Sequence, residues 1–219
     1  MRILITGTGG LLGSNLALEA ANQHTVFGVD RSCPQKTAAF SPIVADLLDP
    51  GAVERVLEES QPDWVIHCAA QANVDACERD PNLARKLNTE LPRKLAQHVA
   101  RGGARLLHVS TDAVFDGQRG DYREDDTPNP INVYAQTKLD GEYAVLETAA
   151  DAIVARINIF GWSPSGKRSL AEFFYNNFKA GNPIKGFTDV SFCPVLVNDI
   201  ADLFYAMLGK GLSGLYHVV

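Results

Sequence analysis

"RILITGTGGLLGSNLALEA", residues 2–20, passes from an apolar, β-branched run into strong helix formers through a loop with four glycines. Gly7, Gly10 and Gly13 stand in G-x-x-G-x-x-G spacing. Glycine permits the tight turn and lets backbone N–H groups approach an anion at a helix N-terminus. A glycine triplet alone says little, but its position between a strand and a helix is that of a dinucleotide-binding turn. The next strand-like run, "TVFGV" at 25–29, ends against Asp30, seventeen residues past Gly13. A carboxylate there accepts hydrogen bonds from an adenosine ribose diol, which favours NAD. Arg31 follows at once and suits a 2′-phosphate, so NADP stays open. Asp46, after the third strand, is a candidate for the adenine edge, or else a helix-capping or loop aspartate.

The same alternation continues outward. Further strand candidates are 42–45, 63–69, 104–110 and 152–159, and helical stretches are expected near 11–21, 50–60, 81–101 and 131–149. Near-continuous hydrophobicity suits strands buried on both faces. Asp49-Pro50 and Asp80-Pro81 read as N-caps followed by proline in the first turn. Pro92 is expected to kink or break the third helix. Strand–helix alternation predicts an α/β fold, a doubly wound parallel sheet of Rossmann type. After residue 160 come a loop, "WSPSGKRS", a helix at 169–180 and a capped amphipathic helix, "NDIADLFYAMLGKG". Residues 1–160 are thus expected to form the dinucleotide-binding domain. Residues 161–219 are expected to form part of a small, incomplete C-terminal substrate lobe interleaved with the sheet.

Composition narrows the partners. The 219 residues carry a net charge of −6, which argues against nucleic acid, and no apolar run reaches membrane-spanning length. Cys33, Cys68, Cys77 and Cys193 show no C-x-x-C spacing. They read as small buried hydrophobes in a reducing compartment, with no metal expected. With no cleavage site after the first strand, a cytoplasmic location is expected.

Two further motifs carry chemistry. In "NVYAQTKLDGE", Tyr134 and Lys138 stand at i, i+4, on one face of a helix. A nearby ammonium is expected to lower the tyrosine pKa toward the range of a general acid. In "LLHVSTDAVFDG", residues 106–117, a buried run stops at Ser110, Thr111 and Asp112. The carboxyl edge of a parallel sheet is where ligands lie, and a Thr111 hydroxyl there can hold a carbonyl oxygen while Tyr134 protonates it.

The glycine loop, "HCAAQ" at 67–71, "STDAVFDG" at 110–117 and "VYAQTK" at 133–138 together resemble the extended short-chain dehydrogenase/reductase family. "STD-VFDG" and "GLYHVV" at 214–219 are most similar to its dTDP-4-dehydrorhamnose reductases. The resemblance implies an oxidoreductase of a nucleotide-activated 4-keto sugar using NAD(H) or NADP(H). It places Gly10, Leu11 and Leu12 on the pyrophosphate, Asp30 on the ribose, and Asp46 with Leu47 on the adenine. Ala69, Ala70 and Gln71 would line the nicotinamide side. Thr111 and Asp112 would face the sugar carbonyl, Tyr134 would be the acid, and Lys138 would bind the nicotinamide ribose. Asn88 matches an asparagine that helps hold this lysine through water.

Some positions depart from the pattern. Ala113 stands where these reductases usually have tyrosine. Asn158 and Ile159, with Trp162 beyond, stand where a tryptophan is usual, and "TDVSFCPV" lacks the usual glycine before proline. Family members normally continue past "GLYHVV", so a natural chain extending beyond Val219 is expected. Two other readings accompany the reductase. One is a sugar-nucleotide epimerase or dehydratase, although dehydratases generally need an acidic pair where "TDA" supplies only Asp112. The other is a non-catalytic NAD(P)-binding subunit like that of methionine adenosyltransferase. The expected partner is a small sugar nucleotide, without nucleic acid or membrane, and a homodimer is left open.

Overall fold

A computed structural model describes residues 1–32 and 39–219. Strands β1 (Arg2–Thr6), β2 (Thr25–Asp30), β3 (Ser41–Val44), β4 (Trp64–His67), β5 (Arg105–Thr111) and β6 (Ile153–Ile157) follow one another along the chain. β7 (Ile159–Phe160), β8 (Val195–Leu196) and β9 (Gly214–Val218) come last. Seven of them form one sheet in the order β3-β2-β1-β4-β5-β6-β9, every pair parallel. The chain winds outward from β1 to β3, returns to β4, and winds out the other way. The reversal opens a crevice at the carboxyl ends of β1 and β4.

Alternate residues of each strand feed two cores. Ile3 and Ile5 pack on one face with α1 (Leu11–Ala20) and α8 (Val197–Gly209), where Phe204 and Ile200 are fully buried. Leu4 packs on the other face with α2 (Ala52–Ser60), α5 (Leu91–Gly102) and α6 (Val133–Thr148), through Val53, Leu95 and Val145. Side chains point to opposite faces with period two, so strands covered on both sides need apolar residues at every position. This is why the runs are continuous.

Four local expectations need correction. α2 begins after Gly51, which caps it in the left-handed conformation (φ 73), and Asp49-Pro50 form the preceding turn. Asp80 ends α3 (Val74–Arg79) and does cap α4 (Pro81–Arg85), its side chain accepting from the Leu83 N–H. Pro92 does not break the helix. A π-helical turn, Lys86–Glu90, joins α4 to α5, and the Leu91 N–H reaches back five residues to the Lys86 carbonyl. In a regular helix the proline ring would clash with the Asn88 carbonyl, and the wider turn makes room for it. The run 152–159 is not one strand. It breaks at Asn158, whose carbonyl accepts from the Val195 N–H, and β7 then pairs with β8 in a separate parallel ladder. The cysteines divide: Cys77 is buried, Cys68 half-buried and Cys193 exposed, while Cys33 lies outside the described residues.

The segment after 160 is shared between two places. Residues 161–196, with α7 (Leu170–Ala180), lie beyond the strand ends, whereas α8 packs under α1 and β9 forms the sheet edge beside β6. Among the described residues, no helix is long and apolar enough to cross a membrane.

Candidate active site

Thr6 ends β1 by joining it to β4. Its hydroxyl accepts from the Cys68 and Ala69 N–H groups at 3.1 Å and shares a hydrogen bond with His67 Nδ1 at 2.7 Å. The chain then turns at Gly7 (φ +75), where a Cβ would sit 2.9 Å from the Ala69 nitrogen. At Gly13 a Cβ would run into the Gly7 carbonyl. Only glycine lets α1 and the β4 loop close on the turn this tightly. Gly10 caps α1 without any side-chain hydrogen bond, and no acidic residue lies in the first turn. The first N–H groups of α1 are therefore left for an anion.

Two grooves meet on this turn. One, of about 490 Å³, is lined by Asp30, Arg31, Ser32, Asp46, Leu47 and Ala69. The other, of about 580 Å³, is lined by Leu11, Leu12, Gly13, Thr111, Asp112, Tyr134 and Lys138. Gly7, Gly10, Cys68, Ala70 and Arg168 line both. Two chambers joined over uncapped amides fit a dinucleotide, which is two nucleosides linked by a diphosphate. Asp30 is fixed toward this turn, its carboxylate accepting from the Gly9 and Arg31 N–H groups at 2.8 Å each. Asp46 lines the groove and acts as a loop aspartate, its Oδ1 accepting from the Leu48 N–H. Ala72, not Gln71, lines the second groove. The Gln71 backbone N–H and C=O are both bound by the Asn88 side chain, which also donates to the Thr137 hydroxyl. Asn88 thus ties the β4 loop to α6.

The chemical groups stand at the start of α6. Asn132 caps the helix through the Ala135 N–H, and Glu78 accepts from the Val133 N–H. Those bonds fix Tyr134 in the first turn and Lys138 one turn on. Tyr134 lines the groove beside Thr111, whose oxygen accepts from the Ala113 N–H at 3.1 Å. Asp112 accepts from Thr111 and, at 2.9 Å, from the Asn158 amide. Burial pushes the Tyr134 phenol above its ordinary value, and the Thr111 hydroxyl beside it only partly offsets this. The expected lowering by Lys138 does not occur. The ammonium is drawn into the sheet instead, donating to the Val109 carbonyl at 2.6 Å and lying 3.4 Å from His108 Nε2. Burial lowers it to about 8, against the pull of Glu142.

Beneath Lys138, the rings of His67 and His108 stack at 5.4 Å, and His67 Nε2 and His108 Nδ1 have no hydrogen-bond partner among the described residues. Burial, helped by Lys138, lowers His67 to about 3 and His108 well below the usual value. The folded protein therefore holds both rings neutral at pH values where the unfolded chain protonates them. The stability is complete above about pH 6.5 and is lost as pH falls from there toward 3. From His67 alone the loss is about 2 kcal/mol at pH 5. Urea melts between pH 8 and 5 should show it. His67→Asn, which keeps an acceptor for Thr6 and cannot titrate, should flatten the profile; a flat wild-type profile would refute the assignment.

Sequence reading missed Arg168 and Asn158 as groove residues, and missed the histidine pair. Their positions depend on loops and strands far apart in the chain, and no local pattern marks them.

The RmlD substrate binding domain family matches residues 1–219. The chain is 42% identical over 161 residues to methionine adenosyltransferase 2 subunit beta of Bos taurus, covering 72% of this chain and 46% of that protein. It thus spans about half of that relative's length. It is 36% identical over 219 residues to dTDP-4-dehydrorhamnose reductase of Mycobacterium tuberculosis, covering 97% and 67%. Among solved structures, a dTDP-4-dehydrorhamnose reductase from Bacillus anthracis in complex with NADP superposes with a TM-score of 0.88 at 29% identity, covering 99% and 74%. With its seven-stranded doubly wound sheet, its glycine turn and a match along its whole length, the chain belongs to the RmlD substrate binding domain family.

Proposed function

We propose that the protein is an NAD(P)-dependent reductase of a nucleotide-activated 4-keto sugar, acting in the cytoplasm. The observation that carries this reading is the convergence of Thr111, Tyr134 and Lys138 on one groove wall beside the glycine turn. The first-turn N–H groups at Leu11 and Leu12 would hold the diphosphate, Asp30 the adenosine ribose, and Asp46 with Leu47 the adenine. Ala70 and Ala72 would border the nicotinamide, and Lys138 its ribose. When bound, the nicotinamide supplies the reducing equivalent for the carbonyl carbon.

The chain's own groups handle the oxygen. Thr111 and Tyr134 line the same groove, so a carbonyl oxygen placed between them accepts from both once the Thr111 hydroxyl turns from Asp112. As negative charge develops on it, Tyr134 transfers its proton. A phenol raised by burial stays protonated through the neutral range and is available as an acid. Asn158 holds Asp112 beside this point, leaving its other oxygen near Thr111.

Steady-state oxidation of NADH and NADPH with a panel of keto-sugar nucleotides tests the proposal. Net consumption supports a reductase, whereas conversion without net consumption supports an epimerase or dehydratase. A binding subunit is a second reading, favoured by the 42% identity to the methionine adenosyltransferase subunit. Tight dinucleotide binding with no turnover of any sugar would select it.

Cofactor choice follows from Asp30. Its charge should repel a 2′-phosphate that Arg31 attracts, giving modest NADH preference or dual use. Asp30→Ala should move the kcat/KM ratio about tenfold toward NADPH, the equivalent of about 1.4 kcal/mol. A ratio that stays put, or moves toward NADH, would show that Asp30 does not face the ribose.

A further inference from the structure

Resting on the dinucleotide reading above, we propose that Arg168 clamps the cofactor's diphosphate from the far side of the groove, opposite the first turn of α1. Arg168 belongs to the loop 161–169, not to the sheet, yet it lines both grooves together with Gly7 and Gly10. Those grooves meet at the glycine turn, the place where a diphosphate joins the two nucleoside halves. The guanidinium is exposed and, among the described residues, takes part in no ion pair. A cation left without a carboxylate, lining the same groove as uncapped helix amides, matches an anion held between them.

The loop is fastened at both ends, which fixes where Arg168 starts. Asn15, on α1 just past the glycine turn, donates to the Trp162 carbonyl at 3.0 Å. At the other end Glu172 is fully buried and accepts from the Arg168 N–H at 2.6 Å, the Ser169 N–H at 2.9 Å and the Ser163 hydroxyl at 3.0 Å. Ser169 completes a capping box with Glu172 and donates to the Gly161 carbonyl at 2.6 Å. Arg168 is therefore held by its backbone, leaving its side chain free for the ligand. Substitution of that side chain keeps every one of these bonds.

The planar fork of arginine binds two phosphate oxygens at once, whereas lysine offers one point charge. Arg31, the other cation of the adenosine-side groove, sits beside Asp30 at the ribose end and is placed for a 2′-phosphate instead.

The test measures equilibrium binding of NADH, NADPH and ADP-ribose to wild type, Arg168→Gln and Arg168→Lys by titration calorimetry, at several salt concentrations. Arg168→Gln should weaken NADH and ADP-ribose equally, by about ten- to a hundredfold, and flatten the salt dependence of Kd. Arg168→Lys should fall between, and the melting temperature of both free variants should match wild type. NADH affinity within twofold of wild type in Arg168→Gln would overturn the clamp. A loss confined to NADPH would move the residue to the 2′-phosphate and overturn it equally. So would an unchanged NADH Kd with a raised KM for a sugar nucleotide. Failure of wild type to bind either dinucleotide would instead overturn the reading on which the clamp rests.

Discussion

Tyr134→Phe is expected to bind NADH as wild type does and to turn over about 10²–10⁴-fold more slowly, the usual range for removing a positioned general acid. The substitution removes one hydroxyl and keeps the ring that fills the wall of the groove. Thr111 remains to hold the carbonyl oxygen, with its backbone bond from Ala113 intact, and Lys138 keeps its bond to Val109. What disappears is the proton. Thr111 cannot replace it, because a threonine hydroxyl is a far weaker acid than a phenol. Folding should not suffer, since the phenol is buried enough to raise its pKa and Phe buries no polar atom in its place. Single-turnover rates and dinucleotide titrations on the same preparation separate the two effects. Wild-type turnover in the variant would show that another group delivers the proton. A large loss of NADH affinity would show that the hydroxyl holds the cofactor instead.

The parts of the molecule that were legible in sequence are those decided locally. β1, β2 and β5 announce themselves because both faces are covered, so their central residues run largely apolar. The glycine turn announces itself because close approach at Gly7 and Gly13 leaves no choice of residue. Thr111, Tyr134 and Lys138 were found because the carboxyl edge of the sheet and a single helical turn bring them together. The π-turn before Pro92 was not legible, since a proline alone does not say whether a helix breaks or widens. The break at Asn158 was hidden because "ARINIFG" reads as one apolar run. Only Asp112 and Val195, both distant in sequence, pull that residue out of the strand. The pKa of Tyr134 went the other way from expectation for the same kind of reason. Helical spacing correctly put Lys138 beneath it, but the sheet's Val109 carbonyl takes the ammonium.

The ion pair that holds this arrangement was equally invisible, and breaking it should have the largest effect on stability. Glu142, on the same helix as Tyr134 and Lys138, is 1% exposed, and Arg156, in the middle of β6, is 2% exposed. Arg156 Nη2 meets Glu142 Oε2 at 2.7 Å, and its Nε lies 3.0 and 3.1 Å from the two oxygens. Ser110, one residue before Thr111, donates to Glu142 Oε1 at 2.5 Å. One carboxylate thus pins α6 to β5 and β6 at the level of Thr111, Tyr134 and Lys138. Arg156→Met leaves that carboxylate buried with only Ser110, and removing one partner of such a pair costs about 3–5 kcal/mol. For a domain of this size each kcal/mol lowers Tm by about 2–4 °C, so a fall on the order of 10 °C is expected. The double variant Arg156→Met, Glu142→Leu should recover much of the loss, because an apolar pair of similar volume has no charge to desolvate. It should not recover turnover. Ser110 then loses its acceptor, and α6 is no longer drawn to the strand that carries Thr111. Thermal melts with turnover measured on the same three proteins give both numbers. A double variant as unstable as the single one would mean that packing around Arg156, including the Phe115 ring 5.0 Å from its guanidinium, matters more than the charge. Full activity in a restabilised double variant would mean that α6 needs no such anchor to present Tyr134.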